Sequence, residues 1–209
     1  MYKVLKRTFC IIFSSIAIVV LSPLFVFAIV GIFFSDRTPV LYKAKRLGKD
    51  NKEFSMLKFR TMRTQKQSQN MRFTADESRI FRFGALLRKT KIDELPQLFN
   101  CLKGDMAFVG PRPVDVQQAS IMHEGKYAEC AKFAHGLTSP AALYDYIYGD
   151  SISNEEEYQQ KVLPTRKELE YLYTQKASLC FDCKILAYTF LAVCHIVPKE
   201  RMLKMILSL

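Results

Sequence analysis

FCIIFSSIAIVVLSPLFVFAIVGIFF, from Phe9 to Phe34, contains no charged side chain. As one straight helix it would be about 39 Å long, ample for a bilayer core of about 30 Å. It is too long for the apolar core of a signal peptide, and no small-x-small cleavage site closes it. Ser22-Pro23 interrupts the run near its middle. Proline removes a backbone N–H and disfavours helix at the residue before it, so a sharp bend is expected there. The flanks are basic on both sides: Lys3, Lys6 and Arg7 before, Arg37, Lys43, Lys45, Arg46 and Lys49 after. A spanning helix should carry its basic flank on one side only. These residues leave two arrangements open, a kinked spanning helix and a helix–break–helix hairpin that enters and leaves by one face.

Outward from this segment, the chain has 209 residues, enough for one domain with its own core. Lys+Arg total 31 against 20 Asp+Glu, a formal charge of +11. That excess points to polyanionic partners: nucleic acid, anionic lipid headgroups or phosphate-rich substrates. No helix-turn-helix, RNA-recognition or zinc-finger pattern is present, so a nucleic-acid partner is not expected. Hydrophobic residues make up 49%, which excludes a disordered chain. Cys180 and Cys183 form one CxxC with no second pair, a weak metal or redox signal, and both are read as buried filler. Without a disulfide framework, a reducing compartment fits best.

Asp36-Arg37-Thr38-Pro39 closes the apolar segment. Val40 to Phe59 reads as strands joined by a turn at Gly48-Lys49-Asp50-Asn51. Thr64 to Asn70 is polar and reads as a loop. Asp76 to Thr90 has helical spacing with a basic face, and Asp93 to Leu102 reads as a helix with Pro96 in its first turn. Tyr127 to Tyr148 reads as irregular, with Tyr144, Tyr146 and Tyr148 alternating as on a strand. Glu155 to Leu172 reads as helix interrupted at Pro164, Phe181 to Val197 as an apolar helix, and Pro198 to Leu209 as an amphipathic one. The expected fold class is α/β, a mostly helical single domain with a small β-sheet.

The chemistry concentrates in Lys91-Ile-Asp-Glu-Leu-Pro-Gln-Leu-Phe-Asn100 and Gly110-Pro-Arg-Pro113. Asp93 and Glu94 have a plain explanation, since carboxylates are favoured at a helix N-terminus. They also suit a nucleophile beside a divalent-cation ligand. Arg88, Arg112, Lys58 and Arg60 supply cations nearby in sequence. A guanidinium between two prolines suits bidentate binding of a diphosphate. His123, His135 and His195 do not cluster with the acids and are given no catalytic role.

Taken in order, Lys6-Arg7-x-Phe9, Ser22-Pro23, Arg46-x-Gly48, Lys58-Phe-Arg-Thr-Met62, Arg82-Phe-Gly-x-x-Leu-Arg-Lys-Thr90, Asp93-Glu-Leu-Pro-Gln-Leu-x-Asn100, Lys103-Gly-Asp-Met-x-x-Val-Gly-Pro-Arg-Pro113 and Asp182-x-Lys-Ile185 resemble the bacterial sugar transferases, the small monotopic phosphoglycosyl transferases. The resemblance runs over nearly the whole chain. It implies transfer of a sugar 1-phosphate from a UDP-sugar to undecaprenyl phosphate, with release of UMP, as the first membrane step of a glycan assembly pathway. Asp93 would be the nucleophile that carries the phosphosugar, and Glu94 the Mg²⁺ ligand. Lys58, Arg60, Arg88 and Arg112 would bind phosphates. Residues 1–36 would be a re-entrant membrane helix broken at Ser22 and Pro23. Residues 37–209 would be a catalytic domain on the cytoplasmic face of the bacterial inner membrane, in contact with its lipids. A second copy of the chain stays open as a partner.

Three departures from the family pattern stand out. Cys10 replaces a frequent Asp that could anchor the re-entrant helix to cations, so the anchoring must differ or be weaker. The frequent Pro-Gly-Ile-Thr-Gly reads His135-Gly-Leu-Thr-Ser139. The following aromatic-Gln-Val-x-Gly-Arg run is replaced by Ala141-Ala-Leu-Tyr-Asp-Tyr146. The competing reading without chemistry is a basic protein that binds anionic lipid at a membrane surface.

Overall fold

A computed structural model describes residues 2–63, 77–152 and 154–209. It bears out a mostly helical chain with a small sheet. The helices are α1 (Tyr2–Val20), α2 (Ser22–Asp36), α3 (Arg82–Lys89), α4 (Gln97–Lys103), α5 (Ala119–Met122), α6 (Pro140–Ile147), α7 (Glu155–Lys161), α8 (Leu163–Lys176), α9 (Leu179–Val193) and α10 (Lys199–Leu207). The strands are β1 (Leu41–Leu47), β2 (Glu53–Phe59), β3 (Ala107–Val109), β4 (Val114–Asp115) and β5 (Gly136–Thr138). β1 and β2 pair antiparallel from Leu41 opposite Phe59 to Leu47 opposite Glu53, and β4 adds to the other edge of β1. β3 and β5 form a separate parallel pair.

The apolar segment breaks where the proline predicts. Pro23 has no N–H to donate to the Val19 carbonyl, and α1 and α2 meet at 60°. Among the described residues no single helix is long and apolar enough to cross a membrane; the bent pair passes the same test by length and composition. Much of its surface is apolar and exposed, including Val4, Ile12, Ile16, Val19, Val26, Val30 and Phe34. A contiguous exposed patch of this kind marks a surface that is covered in use.

Both ends of the pair are tied to the same body. At the start, Lys6 forms an ion pair with Asp182 of α9 at 2.9 Å. Tyr2 and Tyr173 donate to the two oxygens of the same carboxylate, at 2.8 and 2.7 Å. Arg7 donates to the carbonyls of Cys101 and Leu102 at the end of α4. At the other end Asp36 accepts from Arg60, whose guanidinium also takes the carbonyls of Asp36, Arg37 and Pro39. Cys10 is buried against this body. The anchoring that an acid at position 10 would supply comes here from Asp182, reached from Lys6 one turn earlier.

The core has three parts. One lies between α6, α8, α9 and α10, around Tyr144, Tyr173, Ile185, Met202 and Ile206. A second seats α2 on Phe59, Phe81 and Leu87 through Ala28 and Ile32. A third joins the sheet to α4 through Ala44, Met56, Cys101 and Met106.

Several readings need correction. The expected loop at Thr64 to Asn70 lies outside the described residues, as does the start of the Asp76–Thr90 helix; the helix itself begins only at Arg82. Gly84 explains its close seat, since a Cβ there would lie 2.2 Å from the Thr61 carbonyl oxygen. Tyr144 and Tyr146 are on α6, not on a strand. Ser139 caps that helix by accepting from the Ala142 N–H at 2.9 Å, and Pro140 opens it. Cys180 and Cys183 share a face of α9 but are exposed, and all six cysteines are free. α9 ends at Val193, short of Val197, where His195 turns left-handed at φ 53°.

Asp182→Ala removes the acceptor of Tyr2, Tyr173 and Lys6 together and leaves the ammonium largely buried. The expected loss is on the order of 3–5 kcal/mol, read as a lower unfolding temperature in detergent. Adding Lys6→Met should restore part of it; equal unfolding temperatures for wild type and Asp182→Ala would refute the clamp.

Candidate active site

Asp93 and Glu94 do not sit in the first turn of an α-helix. They occupy a short 3₁₀ turn, Ile92–Glu94, ahead of α4. Pro96 has no N–H to give the Ile92 carbonyl, so the Leu95 N–H takes it at 3.1 Å instead. Lys91 enters the turn in the left-handed region, at φ 56° and ψ 14°. Asn100 then fixes α4 to the sheet: its Oδ1 accepts from the Leu57 N–H at 3.0 Å and its Nδ2 donates to the Ser55 carbonyl at 2.9 Å. These bonds set the turn beside Lys58, the next residue of β2.

Lys58 Nζ donates to Glu94 Oε1 at 2.8 Å, and Arg112 Nη2 stands 3.9 Å from the same oxygen. The Arg112 loop is held by main chain on both sides. Gly110 N–H donates to the Thr138 carbonyl at 3.1 Å, and Gly136 N–H to the Pro111 carbonyl at 2.8 Å. A Cβ on Gly136 would meet Gly110 N at 2.2 Å, so the two segments need glycine to approach this closely. Glu170 of α8 completes the support by accepting from the Arg112 N–H at 3.0 Å.

Lys58, Glu94 and Arg112 line a cleft of about 150 Å³ together with Arg46, Gln97, Asp115, Asp145 and Arg166. Arg46 pairs with Asp115 across β1 and β4. Arg166 is buried, donates to the Tyr158 hydroxyl at 2.8 Å and lies 3.7 Å from Asp145. Asp93 is not among the cleft-lining residues and is only 6% exposed, and its Oδ1 has no hydrogen-bond partner among the described residues.

The two carboxylates are driven apart electrostatically. Burial and the charge of Glu94 push Asp93 up to about 6, against the pull of Lys58, Lys91 and Arg88. Burial would raise Glu94 too, but Lys58, Arg112 and Lys91 hold it well below the usual carboxylate range. A buried pair with one easily ionised member and one reluctant member is a candidate for chemistry.

Of the expected site residues, the structure brings Asp93, Glu94, Lys58 and Arg112 together, with Arg88 acting on Asp93 through its charge. It does not bring Arg60, which is buried at the foot of α2 with its fork filled by Asp36 and three carbonyls. Ser22 and Pro23 are at the helix break. Sequence reasoning gave no role to Arg46, Asp145, Arg166 or Glu170. Arg46 stood in a motif; Arg166 and Glu170 had only their four-residue spacing on one helix face as a signal.

The family model described as bacterial sugar transferase matches residues 1–196. The chain belongs to the bacterial sugar transferase family. The exopolysaccharide production protein ExoY of Rhizobium meliloti (strain 1021) is 31% identical over 90% of this chain and 85% of its own length. The UDP-N-acetylgalactosamine-undecaprenyl-phosphate N-acetylgalactosaminephosphotransferase of Aeromonas hydrophila is 42% identical over 54% of this chain and 27% of its own. The UDP-glucose:undecaprenyl-phosphate glucose-1-phosphate transferase of Xanthomonas campestris pv. campestris is 31% identical over 87% and 37%. This sugar transferase homologue thus spans well under half of the last two.

Burial pushes Glu170 up to about 7, against Arg166 and the Arg112 N–H. The folded chain therefore keeps a proton on Glu170 that the unfolded chain has released. The resulting stabilisation is full below the ordinary carboxylate value of 4.5 and is lost as pH rises to about 7. Its size is on the order of 3 kcal/mol. Glu170→Gln keeps an acceptor for the Arg112 N–H and should flatten that fall, measured by denaturant unfolding at a series of pH values. An unchanged slope would show that Glu170 does not titrate there.

Proposed function

We propose that this sugar transferase moves a sugar 1-phosphate from a UDP-sugar to undecaprenyl phosphate through a covalent intermediate on Asp93. The observation that carries the reading is the dyad: a buried Asp93 oxygen without a hydrogen-bond partner, one residue from a Glu94 pinned to Lys58. The undecaprenyl-phosphate sugar phosphotransferases among its relatives support the reaction class.

In the first step the Asp93 carboxylate attacks the β-phosphorus of the donor. An O–P bond forms, the bridging P–O bond breaks, and UMP leaves with the electron pair. In the second step a phosphate oxygen of the lipid attacks the same phosphorus and regenerates the carboxylate. The product is a polyprenyl diphosphate sugar. Lys58, Arg88 and Arg112 neutralise the charge that gathers on the phosphoryl oxygens. Arg60 has a structural part instead, anchoring α2.

The proposal includes a divalent cation shared between Glu94 and the donor's phosphates. No group of three His, Cys, Asp or Glu side chains that could hold a metal occurs among the described residues, but Mg²⁺ is commonly held by one or two carboxylates plus substrate phosphates. Glu94 would hold it, and when bound it would neutralise diphosphate charge.

The proposal includes a membrane arrangement that the clamp supports. Residues 1–36 enter the cytoplasmic leaflet and return, with Lys6, Arg7 and Asp36 all fastened to one body. Residues 37–209 form the catalytic domain, which stays on the cytoplasmic face of a bacterial inner membrane. The apolar outer surfaces of α1 and α2, joined by exposed Leu86 and Phe190, meet the lipid.

Asp93→Asn should reduce UMP release to background with UDP-N-acetylgalactosamine or UDP-glucose, undecaprenyl phosphate and Mg²⁺, because an amide is not a competent nucleophile; appreciable turnover in that variant would sink the covalent mechanism. Tags placed before Lys3 and after Leu209 should both be accessible from the cytoplasm only, and labelling from opposite sides would rule out re-entrance.

A further inference from the structure

Asp145, Tyr158 and Arg166 meet beside the cleft, from α6, α7 and α8, and have no part in the steps above. Asp145 and Arg166 line the cleft. The Tyr158 hydroxyl donates to Asp145 Oδ1 at 2.6 Å and accepts from Arg166 Nη1 at 2.8 Å. Gly149 backs the same carboxylate oxygen, since a Cβ there would lie 2.2 Å from it. The carboxylate is thus held from one side before any ligand arrives. Asp145 belongs to the 141–146 run, where this chain departs from its family's pattern, so the resemblance assigns it no role.

The other two carboxylates that line the cleft accept hydrogen bonds from cations. Lys58 Nζ donates to Glu94 at 2.8 Å, and Arg46 donates to Asp115. Asp145 is balanced differently. Its Oδ2 stands 3.7 Å from Arg166 Nη1, near enough to offset charge and too far for a hydrogen bond. Among the described residues none donates to that oxygen. The side chain is only 16% exposed, and a carboxylate oxygen largely removed from water without a donor costs free energy that a ligand's donor recovers. A phosphate group cannot supply the donor, because it brings acceptors and a like charge. A hydroxyl can, and O–H to carboxylate is among the stronger hydrogen bonds.

We propose that Asp145 recognises the donor in this cleft: its Oδ2 accepts a hydrogen bond from a hydroxyl of the nucleoside diphosphate sugar, on the ribose or on the transferred sugar. The proposal rests on the reading of the cleft as the donor site, and is independent of which residue is the nucleophile. Because the carboxylate is fixed beforehand, little side-chain entropy is lost when the hydroxyl binds. The same contact discriminates, since an analogue without the hydroxyl leaves a desolvated oxygen unpaired. Arg166 offsets the charge of Asp145. Tyr158 and Gly149 are positioning residues that act through it.

The test uses the full chain in detergent and calorimetric binding of five probes: UDP, 2′-deoxy-UDP, 3′-deoxy-UDP, UDP-N-acetylgalactosamine and UDP-glucose. Asp145→Asn keeps the volume and an acceptor for Tyr158 but loses the charge, and should weaken binding of the recognised probe roughly tenfold. If the hydroxyl is on the ribose, UDP weakens and 2′-deoxy-UDP or 3′-deoxy-UDP is spared. If it is on the transferred sugar, UDP is unchanged and at least one UDP-sugar weakens. Gly149→Ala, which displaces the carboxylate without removing it, should affect the same probes. Tyr158→Phe should do so more weakly, and replaces Asp145→Asn if that variant fails to fold. Equal weakening of all five probes would show a merely structural role and overturn the proposal. Affinity within twofold of wild type for every probe that binds would overturn it too. UMP release with Asp93→Asn as control is read separately. If release depends on Asp93 while Asp145→Asn leaves every affinity unchanged, the covalent reading stands and this proposal fails. Absence of binding of all five probes by the wild type overturns both.

Discussion

The fastening of both ends of the apolar segment to one body is the constraint on which the rest depends. Lys6 and Asp182 are nearly out of water, with side chains 14% and 9% exposed. Such a pair stabilises only when its remaining hydrogen-bonding capacity is filled. Tyr2 and Tyr173 fill it, one from each side, so four groups from α1, α8 and α9 form a closed polar knot. Arg60 makes the corresponding knot at the end of α2, with a guanidinium whose donors go to a carboxylate and three carbonyls. Between these points the chain must turn back, and Ser22-Pro23 is where its helical hydrogen bonding is weakest.

The same body sets the dyad. α4 is stitched to β2 by Asn100 and reached by Arg7 at its far end, so the turn that precedes it is fixed between the sheet and the apolar segment. One set of cations then gives the two acids opposite characters. Glu94 accepts Lys58 directly and stays ionised. Asp93, more deeply buried and beside that negative charge, holds its proton more strongly than an ordinary aspartate.

Most of the secondary structure was legible because it was signalled locally. Pro23 and Pro164 gave breaks, the Gly48–Asn51 turn gave the hairpin, and the acids and cations gave the site. Other features depended on contacts distant in sequence. Arg60 lies two residues from Lys58 but has different tertiary partners, Asp36 and three carbonyls instead of Glu94. Arg166 reaches the cleft and Glu170 the Arg112 N–H because α8 packs against the Arg112 loop, which no local pattern announces. The tyrosines of α6 had strand-like spacing, and the capping chemistry of Ser139-Pro140 outweighed it.

A cleft whose cations already have partners binds phosphate differently from an open basic patch. Arg46, Lys58 and Arg166 each face a carboxylate, so an incoming diphosphate gains only the difference between its own interaction and the ion pair it displaces or shares. Local attraction is therefore lower than the number of cleft cations alone suggests. In return the side chains are ordered before the ligand arrives, so little conformational entropy is lost on binding. In the proposed phosphoryl transfer that difference would be useful: cations fixed by Glu94, Asp115 and Asp145 would not collapse onto a bound donor, and would be held for the charge that develops as the bond to phosphorus forms.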